Sequence, residues 1–491
     1  MLVKTGSKPI PHKADALCGF CLIINTKGEI NLATESSKYE LDMCNGPVLK
    51  KMLIFTLPLM LSSVLQLVFN AADVIIVGRF AGDNSLAAVG SNAALINLLT
   101  NLFIGLSIGA NVIAARHYGA GEVKELSKTV HTSMLMGAIS GVFLTIIGVC
   151  FAKQLLELMK TPDEVLVLAA DYLRIYFLGM PALMLYNFGS ALLRSIGDTK
   201  RPLFYLSAAG VINIILNLVF VIIFKLDVVG VAIATVVSES VSAILIVRCL
   251  MHETGGIKLI LSELRIDGRK AAAIMRLGLP AGLQGVIFSL SNVVIQSSVN
   301  IFGSTVVAGN SAAQNLEGFV YVAMNSFYQS AISFTSQNYG AKRYDRLTKI
   351  LACALGCVVV TGLVLGYSGL LFGRQLLGLY TSGADTIDAG LVRMKVIFSI
   401  YFLCGIMDVM VGGLRGIGYS IMPMIVSLIG ACGVRLVWIA TVFRIPEYHT
   451  IKTVYISYPV SWVITIAAHI VCYIIARKKL SKRIAEEEKS S

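Results

Sequence analysis

The chain has 491 residues, of which 56% are hydrophobic and only 14% are charged, and its mean hydropathy is +0.78. Because a water-soluble globular protein has about 25% charged residues, this composition excludes a soluble protein and favours a membrane protein. The net charge of +13 resides in short connectors between apolar runs, a pattern that fits orientation in a membrane better than binding to nucleic acid.

The first 46 residues differ from the rest of the chain. They are mixed polar, and their one apolar run, from Leu17 to Ile24, is too short to cross a bilayer core of about 30 Å. No small-residue cleavage site follows this run, so we do not predict a signal peptide. Two interpretations stay open: a disordered cytoplasmic extension, or a mis-assigned start with Met43 as the true beginning.

Beyond this extension, apolar runs alternate with short polar breaks. Isolated strands cannot satisfy their backbone polar groups in lipid, and the alternating pattern of a barrel is missing, so the runs are predicted to be helices. The fold class is therefore an all-α polytopic membrane protein with twelve transmembrane helices. Their predicted spans are 52–78, 85–112, 127–151, 165–190, 202–224, 228–250, 272–301, 305–331, 345–372, 389–413, 420–443 and 453–476.

The distribution of Lys and Arg predicts the orientation. With a cytoplasmic N-terminus, the basic connectors 116–128, 194–201, 258–270 and 342–349 and the basic tail all fall on the cytoplasmic side. Basic residues are fewer than half as many on the opposite side, so both termini are predicted to be cytoplasmic in the cell membrane.

The two halves of the chain repeat each other. Tyr118-Gly119-Ala120 recurs as Tyr339-Gly340-Ala341, and Leu193-Arg194-Ser195-Ile196-Gly197 recurs as Leu414-Arg415-Gly416-Ile417-Gly418, both at an offset of 221 (339 − 118 and 414 − 193). Two similar six-helix lobes around a central cleft are typical of alternating-access transporters. The predicted organisation is an extension at 1–46, an N-lobe at 47–252, a connector at 253–271, a C-lobe at 272–476 and a tail at 477–491.

Polar residues inside the first helix mark a candidate site. Gln66, Asn70 and Asp73 share one helix face, and an ionisable group within a span costs about 2.5–3.5 kcal/mol on insertion scales, so it requires a reason. Function is the preferred interpretation. The alternative is a helix-end aspartate at the headgroup level, near Arg79.

Helices five and six carry polar pairs with helical spacing. Asn213 and Asn217 lie four residues apart, as do Thr235 and Glu239. Each pair alone is interpreted as interhelical hydrogen bonding rather than as a binding site.

The second half carries longer polar stripes, which fit the wall of a wet cavity or, alternatively, buried interhelical hydrogen bonds. The substrate-cavity candidates in this half are Gln284, Asn292, Gln314, Glu317 and Asp408. Glu317 and Arg435 form a candidate ion pair.

Motifs for enzyme chemistry are missing from the sequence. It has no HExxH, GxSxG or P-loop pattern, and the one CxxC pair, Cys18 and Cys21, lacks a second pair. We therefore expect neither an enzyme nor a cofactor, and the only metal considered is a coupling Na⁺.

Together these features resemble the multidrug and toxic compound extrusion (MATE) family, from about Lys50 to the C-terminus. The resemblance rests on Pro58 followed by Asp73-Val-Ile-Ile-Val-Gly78-Arg79, on Leu193 to Pro202, on Asn213-x-x-x-Asn217 and on the repeated LRxIG. It implies two six-helix lobes that export cationic or amphipathic compounds in exchange for H⁺ or Na⁺.

The resemblance also implies a cation site in the N-lobe, composed of Asp73, Asn213, Asn217 and Thr235. Asn217 replaces the second aspartate of the family pattern, and the C-lobe acid of other members has no match in helix seven. Four oxygen donors suit Na⁺, and a partly buried carboxyl group can instead exchange a proton. The coupling ion therefore stays open between H⁺ and Na⁺.

Three other classes are weighed against a secondary multidrug exporter. A flippase for lipid-linked oligosaccharide precursors would need several cations in its cavity, and Arg435 alone is thin support. A membrane enzyme would need a catalytic cluster, and a channel would not explain the duplicated halves. We expect small-molecule substrates, contact with membrane lipid, no nucleic acid and a monomer.

Overall fold

The structure is a computed structural model that describes residues 23–24, 30–31, 39–159 and 161–490. The chain divides into two units, Met1–Glu40 and Leu41–Ser491. In the first unit, Ile23–Ile24 (β1) pairs antiparallel with Ile30–Asn31 (β2). Most of the predicted extension, with Cys18 and Cys21, lies outside the described residues.

The second unit is helical. Its first half contains α1 (Val48–Phe80), α2 (Asp83–Gly119), α3 (Val123–Leu158), α4 (Asp163–Leu178), α5 (Met180–Ser195), α6 (Lys200–Leu218) and α7 (Asp227–His252). Its second half contains α8 (Gly268–Asn300), α9 (Ser304–Gly340), α10 (Tyr344–Leu371), α11 (Gly373–Gly378), α12 (Ala384–Ile397), α13 (Phe402–Gly416), α14 (Ile421–Ser427), α15 (Val434–Ala440) and α16 (Ile451–Ser490). We call α1–α7 the first lobe and α8–α16 the second lobe.

Several membrane spans are built from more than one helix. α4 and α5 form one span with a 46° bend, and α12 and α13 form another with a 48° bend. α6 continues into a π-helical turn, Val219–Ile223, and a similar turn, Leu428–Gly433, joins α14 to α15. Within the described residues, nine helices are long and apolar enough to cross a membrane, and the two bent pairs raise the number to eleven.

The twelfth span is α9, which is 37 residues long but more polar than the others. It contacts helices of both lobes, including α1, α2, α10 and α13. Because these neighbours surround it, α9 buries serine, asparagine and glutamine side chains along much of its length. Its polarity therefore reflects its central position, and the twelve predicted spans correspond to twelve helical crossings.

The internal repeat extends to the backbone. Gly197 and Gly418 end the two LRxIG motifs with positive φ angles of 93° and 103°. Gly82 and Gly303, which precede α2 and α9, have φ angles of 85° and 91°. Both pairs are separated by 221 residues (418 − 197 and 303 − 82), so the left-handed turns that glycine tolerates recur at equivalent places in the two lobes.

The lobes contact each other at one end of the molecule, which we call the terminal face. It is the end at which α1 begins and at which α2 and α9 end. Three hydrogen bonds that join the lobes there are Thr56–Ser330 (2.6 Å), Asn111–Ser333 (3.1 Å) and Arg116–Gly416 (3.1 Å). The α2 and α8 backbones also approach closely, since a β-carbon on Gly105 would lie 2.2 Å from the Gly282 nitrogen.

A short segment before α1, Leu41–Gly46, bridges the two lobes at the terminal face. The Leu41 amide donates to the Ile196 carbonyl of the first lobe at 3.4 Å. The Met43 amide donates to Gln337 Oε1 of the second lobe at 3.1 Å, and the Met43 side chain is fully buried. These six residues of the predicted extension therefore contact both lobes.

Candidate cation and substrate site

A cavity of about 200 Å³ lies between the lobes, and we call it the central cavity. Its walls come from α1, α5, α6 and α7 of the first lobe and from α9 of the second lobe. Its polar and charged lining includes Ser62, Ser63, Gln66, Asn70, Asp73, Tyr186, Asn187, Arg194, Asn213, Thr235, Ser238, Glu239, Ser242, Asn325, Ser326 and Gln329. Five of the eleven predicted site residues, Gln66, Asn70, Asp73, Asn213 and Thr235, thus line one cavity.

The Asp73 carboxylate is held by an amide rather than by a cation. Asn217 Nδ2 donates to Asp73 Oδ1 at 2.5 Å and lies 3.1 Å from Asn213 Oδ1. Asn213 Nδ2 in turn donates to Thr235 Oγ1 at 3.4 Å. The predicted cation-site residues therefore form one hydrogen-bonded chain across α1, α6 and α7, and no charged group of the described residues neutralises Asp73.

One oxygen of this chain has a free acceptor position. Asn217 Oδ1 is buried and has no hydrogen-bond partner among the described residues. A buried amide oxygen without a donor is costly unless a ligand or water meets it. Together with Asp73, Asn213 and Thr235 it supplies the hard oxygen donors that a small cation such as Na⁺ prefers.

Glu239 is a second carboxylate in the same cavity. It lies one helical turn after Thr235 on α7, and its Oε2 is buried without a hydrogen-bond partner in the described structure. The only charge recorded as acting on it is that of Asp73. Its spacing from Thr235 is visible in the sequence, but the approach of α7 to α1 is not, so sequence reasoning left it outside the site.

The first helix joins the acidic site to the rest of the cavity. Leu59, Ser62, Gln66 and Asn70 line the cavity along the same helix that carries Asp73. At 1.5 Å per residue, Asp73 lies about 38 Å along α1 from its first residue, far from the terminal face. The acidic end of the cavity is therefore remote from the contacts that join the lobes.

The second lobe pairs its first acidic residue differently from our prediction. Glu317 on α9 accepts hydrogen bonds from Arg393 on α12, at 2.7 and 3.0 Å. The predicted pair of Glu317 with Arg435 is wrong, because Arg435 instead donates to Ser461 at 2.9 Å and lies over the Tyr458 ring. Arg393 sits near the end of a predicted span, where a basic residue is unremarkable, so the sequence alone did not reveal this partner.

The other predicted residues of the second lobe lie outside the central cavity. Asp408 is buried and hydrogen bonded by Tyr321 and Asn325, and Gln284 accepts from Arg415 at 2.8 Å. Asn292 and Gln314 are exposed. Of this group, only Asp408 is connected to the cavity, through the lining residue Asn325.

Comparison with known proteins decides the family. The MatE family model matches residues 58–219 and matches again at 280–441. The chain belongs to the MATE family. Because the two matches begin 222 residues apart (280 − 58), they also confirm that each lobe of this MATE protein is one copy of the same unit.

Curated relatives of this MATE protein are transporters. It is 29% identical over 428 residues to the probable multidrug resistance protein YoeA of Bacillus subtilis, covering 85% of this chain and 92% of that one. It is 24% identical over 445 residues to an FAD transporter of Shewanella oneidensis, covering 89% and 96%. These relatives place it among multi-pass membrane efflux transporters.

Solved structures support the fold. An outward-facing multidrug resistance MATE family transporter of the MOP superfamily aligns with a TM-score of 0.83 at 22% identity, covering 91% of this chain and 99% of that one. Twelve transmembrane helices in two six-helix lobes, as the sequence predicted, are the architecture of this MATE protein.

Proposed function

We propose that this protein is a secondary active exporter that antiports cationic or amphipathic small molecules against H⁺ or Na⁺ by alternating access. The observation that carries the proposal is the Asp73 carboxylate, which contacts an amide and no cationic side chain in a cavity lined by both lobes. A carboxylate at membrane depth is costly without a countercharge. A mobile cation provides that countercharge in one state and leaves in another.

Two coupling ions suit this site. For Na⁺, the donors are the Asp73 carboxylate, the free Asn217 oxygen, Asn213 and Thr235. For H⁺, the Asp73 carboxyl group itself is the acceptor, and Glu239 is a second acceptor nearby. The single carboxylate among the four predicted residues thus binds either ion as transported cargo, without a resident cofactor.

The cavity lining favours positively charged substrates. Asp73 and Glu239 outnumber the one guanidinium of the lining, that of Arg194. Leu59, Phe69 and other apolar side chains complete the wall. Such a mixed wall suits an amphipathic cation, whose charge meets the carboxylates while its apolar part meets the helices.

α1 can couple ion binding to substrate release. Pro58 lies inside this helix and lacks the amide hydrogen that would continue the helical ladder, so α1 is weak at that point. The ion site and much of the substrate wall lie on the same helix beyond Pro58. We infer that cation binding at Asp73 repacks α1 and disfavours the bound substrate, which drives its release.

The arrangement of the lobes supports an outward-facing state. The lobes contact each other at the terminal face, whereas Asp73 lies towards the opposite face. With the terminal face in the cytoplasm, as the positive-inside rule favours, the cavity belongs to the external side. We further propose a location in the cell membrane, cytoplasmic termini and action as a monomer, since one chain supplies both walls of the cavity.

A flippase for lipid-linked precursors is less well supported. Arg435, the basic residue on which that alternative rested, contacts Ser461 and aromatic rings rather than the central cavity. A polyanionic lipid headgroup would also meet the Asp73 and Glu239 carboxylates, which repel it.

The test is transport in proteoliposomes with pH and sodium gradients imposed separately. Purified protein is reconstituted with a fluorescent organic cation, and its movement is followed after each gradient is applied. We expect one of the two gradients to drive transport and Asp73→Asn to abolish the gradient-driven component. The control is Asp171→Asn, which makes the same chemical change at a surface carboxylate paired with Arg174.

Transport that responds to neither gradient would overturn the antiport proposal. Wild-type gradient-driven transport by Asp73→Asn, at matched reconstitution, would remove Asp73 from the mechanism. If only the sodium gradient drives transport, then the oxygen-donor set is the coupling site for Na⁺; if only the pH gradient does, the carboxyl group carries a proton.

A further inference from the structure

A second cavity, of about 420 Å³, opens at the terminal face, and we call it the basic cavity. Four basic residues line it: Arg116, Arg276, Lys479 and Arg483. None of the described residues that line it is an aspartate or glutamate. One of the four cations is partly neutralised, since Arg483 pairs with Glu487 at 2.9 Å. The cavity is therefore a concentration of positive charge at the boundary of the membrane.

Arg116 forms the inner end of this cavity. Its Nη2 donates to the Gly416 carbonyl at 3.1 Å, and its guanidinium lies 4.7 Å from the centre of the Tyr339 ring. Its Nε is buried and has no hydrogen-bond partner among the described residues. A buried guanidinium nitrogen without an acceptor is costly, and an anionic oxygen in the cavity supplies one.

An apolar groove of about 400 Å³ continues from the basic cavity, and the two share Arg276, Gly418 and Tyr419. The groove runs along α14, where Ile421 and Ile425 expose 49% and 46% of their surface. Because α14 enters the membrane from the terminal face, the groove leads from the charged cavity towards the bilayer core. Charge followed by an apolar groove matches the order of headgroup and acyl chain in a phospholipid.

The geometry points to a binding site for an anionic phospholipid of the terminal-face leaflet. Its phosphate lies in the basic cavity and an acyl chain lies in the groove along α14. Basic pockets between membrane helices bind anionic headgroups in this way. A free phosphate would use the charge but not the groove, so we commit to the lipid.

The site spans the two lobes. Arg116 belongs to α2 of the first lobe, whereas Arg276 and Lys479 belong to α8 and α16 of the second lobe. α16 is 40 residues long, about 60 Å at 1.5 Å per residue, so its last turns extend past the bilayer core to the headgroups. A lipid that contacts both lobes stabilises the closed terminal face.

The test is lipid binding to the full-length protein in detergent. The thermal unfolding midpoint is followed by intrinsic fluorescence during titration with dioleoylphosphatidylglycerol, dioleoylphosphatidylcholine or inorganic phosphate. We expect phosphatidylglycerol alone to raise the midpoint. In the double variant Arg276→Gln/Lys479→Gln, its apparent affinity should fall roughly 30-fold, since each basic side chain contributes about fivefold to binding of an anionic lipid.

Both substituted side chains are exposed, so the variant is expected to fold. The control is Lys258→Gln/Arg265→Gln, which removes the same charge from exposed residues of the connector outside the basic cavity. We expect it to keep the wild-type affinity. An equal effect of phosphatidylcholine or of inorganic phosphate would overturn the proposal. An unchanged affinity in the cavity variant, or an equal loss in the control, would overturn it as well.

Discussion

The two lobes are copies of one fold, yet they treat buried acidic groups in opposite ways. In the first lobe, Asp73 is hydrogen bonded by Asn217 and has no cationic partner in the described structure. In the second lobe, Glu317 is held by two hydrogen bonds from Arg393. The positions 221 residues after Asp73 and Asn217 are Val294 and Trp438, so the second lobe has no copy of the cation site.

This difference teaches where ion coupling can reside. A carboxylate that already pairs with a guanidinium has its charge compensated, so binding a further cation gains little. A carboxylate held only by amides keeps its charge available. Duplication thus supplied two equivalent frameworks, and substitution left an exchangeable acid in the first lobe and an internal ion pair in the second.

The largest expected effect comes from breaking the second-lobe pair. Arg393 and Glu317 expose only 3% and 12% of their side chains, and Arg393 also lies near the rings of Tyr455 and Tyr458. Arg393→Met leaves a buried carboxylate without its partner, which costs about 3–5 kcal/mol. We expect a large drop in the thermal unfolding midpoint of the purified protein.

Two further variants sharpen this result. Arg393→Met/Glu317→Gln removes both charges and should recover much of the lost stability, because no uncompensated charge remains. Asp73→Asn in the first lobe should change stability by less than about 1 kcal/mol, since only an amide contact is altered. If Asp73→Asn destabilises the protein as strongly as Arg393→Met, then the two lobes do not differ as we argue.

A smaller effect is expected from adding a carboxylate to the first lobe. Asn217→Asp places a second negative charge beside Asp73, in the position where the family pattern has an aspartate. If Na⁺ is the coupling ion, the added charge should tighten its binding about tenfold, a change of about 1.4 kcal/mol. The measurement is the sodium concentration that gives half-maximal transport in proteoliposomes.

The control for that variant is Asn187→Asp. Asn187 lines the same cavity, but its amide bonds the Leu183 carbonyl rather than Asp73. The same charge at this position should change the sodium dependence much less. An equal shift in both variants would show that the general potential of the cavity, not the Asp73 cluster, determines ion binding.

The sequence predicted the framework of this comparison but not its contacts. Apolar runs and the 221-residue offset determine the twelve spans and the duplication, because both are properties of the chain order. The face shared by Gln66, Asn70 and Asp73 follows from helical spacing, and those residues do line one cavity. Residues on one helix can thus be grouped from sequence alone.

Pairing between helices could not be predicted in the same way. Arg393 meets Glu317 across 76 positions of chain, and Glu239 approaches Asp73 only because α7 packs beside α1. Neither distance is encoded in a local pattern. Arg435 is as plausible as Arg393 by sequence, and only packing separates a residue that contacts Glu317 from one that contacts Ser461.

The smallest expected effect compares how the two equivalent helices α1 and α8 begin. α1 follows Pro47 without a side-chain cap, whereas Asp267 caps α8 by accepting from the Arg269 and Lys270 amides at 2.9 and 3.1 Å. The hydrogen bond from the Lys270 amide is the main cause that lowers the pKa of Asp267 below its ordinary value of 3.8. The cap therefore stabilises the protein fully above that ordinary value and loses its contribution as the pH falls through the lowered one.

Asp267→Ala should therefore lower the unfolding midpoint at pH 7 by no more than about 2 °C. The difference from wild type should shrink as the pH is lowered towards 3, because the wild-type carboxylate then becomes protonated and loses its advantage as a cap. Asp267→Asn keeps a capping oxygen without a titrating group, so it should stay near the wild-type midpoint at pH 7 and show no such pH dependence. A gap between wild type and Asp267→Ala that widens on acidification would contradict the assigned role, and would indicate that α8, like α1, is held in place by packing rather than by its cap.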